Sequence, residues 1–150
     1  MNRRRRGEVP EVNRATAGYH VVVSAWVPGE RPLPVEADLR YDSADPYAVC
    51  LSLHVGGSST LDWTFARELL ADGIYRPIGI GDVVVEPVHT RRGELVRITL
   101  RSPAGVLHIQ LPARAVLSFV QRTLAIVRLG AEERHVDLDD VARRLTCETG

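Results

Sequence analysis

The strict alternation of apolar and polar residues is the feature of this 150-residue sequence that most constrains its fold. Between residues 35 and 41, every odd position is apolar or aromatic and every even position is charged. Successive side chains of a strand point to opposite faces, so a period of two predicts a strand with one buried and one solvated face. Such strands are typical of antiparallel sheets.

The same period recurs in other short segments, which are separated by polar turns rich in glycine and proline. Residues 74–81 are predicted to form a loop because Pro77 and two glycines interrupt them. Seven strands are predicted, at residues 19–27, 35–41, 49–55, 61–65, 82–88, 95–101 and 106–111. Short turns between neighbouring strands predict a mainly antiparallel seven-stranded sheet.

Three segments change from this period to the spacing of a helix. A short helix is predicted at residues 66–71, ended by Gly73, and two C-terminal helices are predicted at residues 113–127 and 138–145. Together with the sheet, these helices predict an α+β fold.

The helix predicted at residues 113–127 has an apolar stripe that covers roughly half of its circumference. A helix that packs on one sheet needs a narrower stripe. The pattern therefore predicts that Phe119 and Ile126 face a second surface, either the last helix or another subunit. These two residues and Arg122 form the candidate oligomer or partner interface.

The amino-acid composition limits the classes of protein to which this chain can belong. The 19 basic residues, all arginine, balance 19 acidic residues, so a dedicated nucleic-acid or membrane binder is not expected. No apolar run approaches the roughly 18 residues of a spanning helix. The two cysteines have no disulfide-framework spacing, which favours a reduced, cytoplasmic protein.

Residues 1–17 are predicted to form a flexible Arg-rich arm, and residues 18–150 are predicted to form a single domain.

No catalytic, cofactor-binding or metal-binding motif is predicted. The five histidines have no recognised ligand spacing, and tight metal binding needs several converging ligands. Asp42 and Asp45 could act as an acid–base pair. Asp42 to Pro46 is also typical turn chemistry, because Asp binds its own backbone and Pro sets φ, and this interpretation is favoured. The chain is therefore not expected to be an enzyme.

Four aromatic residues allow a comparison with the stacking platforms of single-strand nucleic-acid binders: Tyr41, Tyr47, Trp63 and Phe65. Tyr41, Trp63 and Phe65 are in phase with the apolar side of their strands, so the core is the favoured location for their rings. The opposite face carries arginines mixed with acids, which would repel phosphate nearly as much as attract it.

Several motifs occur in an order that resembles the SsgA-like family of actinobacterial sporulation and cell-division regulators. Residues 39–49 read LRYDSADPYAV, residues 63–70 read WTFARELL, and residues 79–83 read GIGDV. The resemblance covers roughly residues 18–145. Its motif residues, with mainly structural roles, are Tyr41, Asp42, Asp45, Pro46, Tyr47, Trp63 and Phe65.

This resemblance implies a seven-stranded Whirly-like sheet domain that forms a homotrimer and has no catalytic activity or cofactor. It implies a regulator or adaptor of sporulation-specific cell division, cytoplasmic and recruited to division septa. Such a protein would help to place or control the FtsZ ring or peptidoglycan remodelling through contacts with FtsZ or another SsgA-like protein. The alternative that it implies is a single-stranded nucleic-acid-binding protein. The Arg-rich arm of residues 1–17 departs from the family pattern.

Overall fold

Eight antiparallel strands form one continuous sheet in the computed structural model, which describes residues 14–135. The strands are β1 Thr16–Trp26, β2 Leu33–Asp42, β3 Ala48–Gly56, β4 Ser59–Ala66, β5 Ile78–Ile80, β6 Val83–Thr90, β7 Gly93–Ser102 and β8 Gly105–Pro112. The helices are α1 Arg67–Gly73 and α2 Ala113–Ile126, and a short 3-10 turn follows at Glu132–His135.

The strand order is β4-β3-β2-β1-β8-β7-β6-β5. The sheet thus consists of two four-stranded meanders, β1 to β4 and β5 to β8, which meet where β1 pairs with β8. That seam contains three residue pairs, which are Ser24 with Gln110, Ala25 with Ile109 and Trp26 with His108.

One face of the sheet, here called the inner face, carries the core. The ladder registers align the apolar positions of neighbouring strands, so Val23, Leu39, Leu51 and Ile98 are at most 1% exposed. Helix α2 packs across β1, β7 and β8, and α1 packs against β6. The alternate side chains of the strands form the outer face.

The α+β class and the antiparallel sheet agree with the sequence prediction, but the strand count is eight where seven were predicted. The additional strand is β5, which pairs with β6 from Ile78–Val85 to Ile80–Val83. Three residues are too few to show a period of two, and the glycine between the two isoleucines indicated a loop.

Helix α2 begins where predicted and ends one residue earlier, at Ile126. Helix α1 extends to Gly73, which is buried and is not a left-handed cap. A Cβ atom at Gly73 would lie 2.2 Å from Val85 Cγ1, so a glycine is needed for close packing of α1 on β6. The helix predicted at residues 138–145 lies outside the described residues.

Strand β1 begins at Thr16, three residues before the predicted start. Ser43 N–H donates to Ala15 O, and Arg14 Nε donates to Asp42 Oδ2 at 2.7 Å. Residues 14–17 are therefore part of the folded unit, although the prediction placed them in the arm. The remainder of the predicted arm, residues 1–13, lies outside the described residues.

Candidate functional site

Three neighbouring strands bring two histidines and two acids together on the outer face. His20 of β1 is the cross-strand partner of Asp38 of β2, and His54 comes from β3. His20 Nδ1 lies 2.8 Å from Asp38 Oδ1, and His54 Nε2 lies 2.7 Å from Asp38 Oδ2. His20 Nε2 lies 3.2 Å from Glu36 Oε1. We call His20, Glu36, Asp38 and His54 the histidine cluster.

Hydrogen bonds within the histidine cluster shift its ionisation. Those from His54 and His20 lower the pKa of Asp38, although partial burial opposes the shift. The hydrogen bond with Asp38 raises the pKa of His20. The Asp38 carboxylate is therefore ionised at neutral pH and presents two oxygens between two imidazoles.

Sequence reasoning missed the histidine cluster because it looked for ligands at a recognised spacing along the chain. The donors come from three strands, and only the register brings them together. The signal that could have found it is the pairing of β1 with β2, which sets His20 opposite Asp38.

A second group of polar and aromatic side chains lies on the outer face across the seam. The Trp26 ring lies 5.3 Å from the His108 ring, and the Arg97 guanidinium lies 5.7 Å from the Trp26 centroid. Arg97 Nη2 donates to Gln110 Oε1 at 2.8 Å, and His108 Nδ1 lies 3.0 Å from Thr99 Oγ1. These bonds hold an arginine against an indole ring on the sheet surface.

An apolar groove of about 680 Å³ lies at one end of the inner face. Its exposed apolar side chains include Leu33 at 63%, Val55 at 58% and Leu61 at 42%. The groove is defined by Val27, Leu33, Val35, Val55, Leu61 and Leu107. At this end of the sheet the strands therefore still place apolar side chains on the inner face, but those side chains are exposed.

The two longest family-resembling motifs meet at a buried arginine. The Arg67 side chain is 1% exposed, and its guanidinium lies 5.0 Å from the centroid of the Tyr41 ring. Arg67 Nη1 donates to Thr123 O at 3.1 Å and Val127 O at 2.5 Å, and Nη2 donates to Glu132 Oε2 at 2.7 Å. Arg67 therefore joins α1 to the end of α2.

Asp42 and Asp45 both make the hydrogen bonds of the predicted turn. Asp42 Oδ1 accepts a hydrogen bond from Ala44 N–H at 2.9 Å, which closes the turn. The hydrogen bond from Arg14 lowers the pKa of Asp42, with burial opposing. Asp45 O accepts from Ala48 N–H, and Tyr41 Oη donates to the backbone oxygen of the buried Pro46.

The aromatic motif residues are divided between core and surface. Tyr41 and Phe65 are buried in the core, and the half-buried Trp63 packs against it. Tyr47 is 53% exposed.

The candidate interface on α2 is wrong for Phe119. Phe119 is 0% exposed and belongs to the core of a single chain, so it cannot contact another subunit. Ile126 is half-buried against that core, and Arg122 is exposed, with Nη1 donating to Gly18 O at 2.6 Å. The wide apolar stripe reflects a helix that is inserted deeply between neighbouring elements.

Residues 14–135 contain no helix that is both long and apolar enough to span a membrane. The fold and surfaces of these residues define the class of the protein: an α+β domain built on one antiparallel sheet, with a polar outer face and an apolar groove.

Comparison with known proteins gives the family. Residues 35–132 match the family described as Streptomyces sporulation and cell division protein, SsgA. The chain is 48% identical over 123 residues to the sporulation-specific cell division protein SsgB of Streptomyces coelicolor, covering 82% of this chain and 90% of that protein. It is 45% identical to SsgB of Frankia casuarinae, covering 75% and 79% of the two chains. The chain belongs to the SsgA family, and the resemblance found in the sequence is confirmed.

Solved structures agree with this assignment. One comes from work on SsgB mutations that correlate to longitudinal cell division during sporulation of Streptomyces coelicolor. It has a TM-score of 0.76 and 46% identity, covering 81% of this chain and 96% of that one. An SsgA-like sporulation-specific cell division protein from Thermobifida fusca has a TM-score of 0.74 and 34% identity, with coverages of 87% and 95%.

Proposed function

We propose that this chain is a non-enzymatic adaptor of sporulation-specific cell division. It would act in the cytoplasm and at division septa, where it helps to place or control the division machinery through protein contacts. The names of its relatives support the process. The partner that we propose is FtsZ, reached directly or through another SsgA-like protein, and control of peptidoglycan remodelling is the alternative route.

The apolar groove is the observation that carries the proposal. Leu33, Val55 and Leu61 expose between 42% and 63% of their surface on strands whose central apolar residues, such as Leu39 and Leu51, are buried. Contiguous exposed apolar side chains with charged neighbours such as Glu30 and Arg31 are typical of protein contact sites. Covering them with a partner would remove apolar surface from water and favour association.

Co-sedimentation with FtsZ polymers tests the proposal. The wild-type chain should pellet with the polymer, and Leu33→Glu or Leu61→Glu should weaken the association at least about tenfold, because a charge would be buried. Val22→Glu is the matched control, since Val22 is 56% exposed on the outer face of β1. Equal pelleting of all variants would remove the groove from the proposal, and no pelleting of wild type would remove direct FtsZ contact.

We also propose that the chain assembles as a homotrimer. With Phe119 excluded, Ile126 and Arg122 remain as the candidate contacts on α2. Light scattering should give a trimer for wild type and a smaller mass for Ile126→Glu, with Ala125→Glu on the exposed side of α2 as the control. A clean monomer for wild type would contradict the assembly.

A second candidate function is single-stranded nucleic-acid binding on a Whirly-like sheet. The observation that favours it is the Arg97 guanidinium against the Trp26 ring on the outer face. Gel shift across a salt series should show binding that weakens steeply with salt and is lost in Trp26→Ala. The absence of a shift at low salt would end this candidate.

A further inference from the structure

The histidine cluster holds the donor atoms of a transition-metal site. His20, Asp38 and His54 each place one such atom so that all three lie within 4.8 Å of one another. Two imidazole nitrogens and a carboxylate oxygen are ligands that Zn²⁺ takes, at about 2.0–2.2 Å. We propose that His20, Asp38 and His54 bind a Zn²⁺ ion on the outer face of the sheet, a role that goes beyond the proposed function and does not depend on it.

The distances fit an ion entering between the three side chains. Ligands around a tetrahedral Zn²⁺ are separated by about 3.3 Å, so no pair has to change its separation by more than about 1.5 Å. The His–Asp pairs, at 2.8 Å to Oδ1 and 2.7 Å to Oδ2, would open slightly as the ion enters. Side chains that are 54%, 40% and 31% exposed can make these movements by rotation alone.

Glu36 supplies the outer hydrogen bond that metal-binding histidines commonly have. With Nδ1 of His20 directed at Asp38, the opposite nitrogen, Nε2, lies 3.2 Å from Glu36 Oε1. On binding, the metal would replace the proton that Nδ1 shares with Asp38, and donation from Nε2–H to Glu36 would hold the ring in that tautomer. Glu36 is therefore a positioning residue of the proposed site.

Charge around the cluster also favours a cation. Asp38 and Glu36 contribute two carboxylates, and the nearby Asp62 has a pKa lowered chiefly by a hydrogen bond from Ser52. The Arg40 side chain opposes a cation, but its Nη2 donates to Cys50 Sγ at 3.3 Å and is held there.

Three protein ligands leave one position of a tetrahedral ion open. The exposure of the histidines directs that position to solvent, where water or a donor from another protein can occupy it. The proposed site is accordingly an exchangeable one, weaker than a closed structural zinc site.

Calorimetric titration of the metal-free full-length chain with Zn²⁺ alone tests the proposal. Wild type should bind one equivalent, and His20→Ala and His54→Ala should each weaken binding at least about tenfold, with a smaller loss in Glu36→Gln. His89→Ala is the matched control, because His89 Nδ1 contacts Glu94 on the β6–β7 hairpin and that pair is exposed. Binding in this control should equal that of wild type.

Imidazole nitrogen shifts in wild type give a measurement that no substitution can disturb. Addition of Zn²⁺ should move the His20 and His54 signals together and leave His89 unchanged. Unaltered His20 and His54 signals, or equal affinity in the cluster variants and wild type, would show a hydrogen-bonded surface cluster only and would overturn the proposal.

Discussion

At the scale of single residues, Arg67 and Glu132 form a buried ion pair that closes the end of α2. Arg67 donates to two carbonyl oxygens at that end, and Glu132 Oε1 accepts from Gly130 N–H at 2.8 Å. A cation near the C-terminal end of a helix also compensates the helix dipole. Removing one partner of such a pair leaves the other charge buried and costs about 3–5 kcal/mol.

The pH dependence of stability follows from Glu132. Burial acts to raise its pKa, but hydrogen bonds from Arg67 and from backbone N–H groups outweigh burial, so the pKa in the folded state is lowered. The pair therefore stabilises the fold fully above the unfolded pKa of about 4.3, and this contribution is lost as pH falls through the lower folded value. Denaturant unfolding between about pH 6 and pH 3 measures this contribution. At the upper end of that pH range, Glu132→Gln should have a lower free energy of unfolding than wild type.

The same measurement contains its own check. The difference between Glu132→Gln and wild type should shrink on acidification, because wild type then protonates the same group. A difference that stays constant with pH would show that the Glu132 charge is not what stabilises the pair.

A substitution of Phe119 tests whether this residue belongs to the core of one chain or to an interface between chains. Because its ring is fully buried in one chain, Phe119→Ala should lower the free energy of unfolding by about 3–5 kcal/mol, through lost transfer energy and a residual cavity. Thermal or denaturant unfolding measures this loss. An unchanged unfolding midpoint together with a lower solution mass would return Phe119 to the interface.

At the scale of elements, α1 is held against β6 by one close approach. Gly73 is the last residue of the helix, and its missing side chain lets the backbone pass over Val85. Leu69 and Leu70, at 1% and 0% exposed, bury the rest of the helix. A short helix is marginal by itself, so its stability comes from this packing.

Gly73→Ala should destabilise the protein because its Cβ would lie 2.2 Å from Val85 Cγ1 and 3.1 Å from Val85 O. Overpacking of this kind costs about 1–3 kcal/mol. Adding Val85→Ala should recover part of that loss by removing the contacting methyl group, and a double-mutant cycle in denaturant measures the coupling. Additive effects would contradict the close approach.

At the scale of the whole molecule, two meanders share one sheet through a narrow seam. Only three residue pairs join β1 to β8, but α2 packs on both of these strands and on β7. Buried residues of both meanders, such as Val23 and Ile109, belong to the same core. The helix therefore adds to the seam hydrogen bonds in coupling the two halves.

Hydrogen exchange should show this coupling. Protected backbone amides of β1 and β8 at the seam should exchange only on global unfolding, like those at the centres of β2 and β7. The short edge strand β5 should exchange faster, because it has three residues and one neighbour. Seam amides that exchange much faster than the strand centres would indicate that the meanders separate before global unfolding.

The sequence alone determined the elements that have a strong local period. Alternation, or a valine-rich run bounded by turn residues, placed seven of the eight strands within the described residues, and helical spacing placed α2 to within one residue. These features could be predicted because side-chain direction follows directly from backbone geometry. The family was also readable, since its motifs are contiguous.

Tertiary structure decided the features that depend on how distant segments meet. The strand β5 exists because β6 offers it a partner, and Phe119 is buried because of where α2 lies on the sheet. The histidine cluster and the apolar groove arise from the register of neighbouring strands and from how far the helices cover them. Burial and convergence are properties of packing between segments far apart in the chain, so no local pattern contains them.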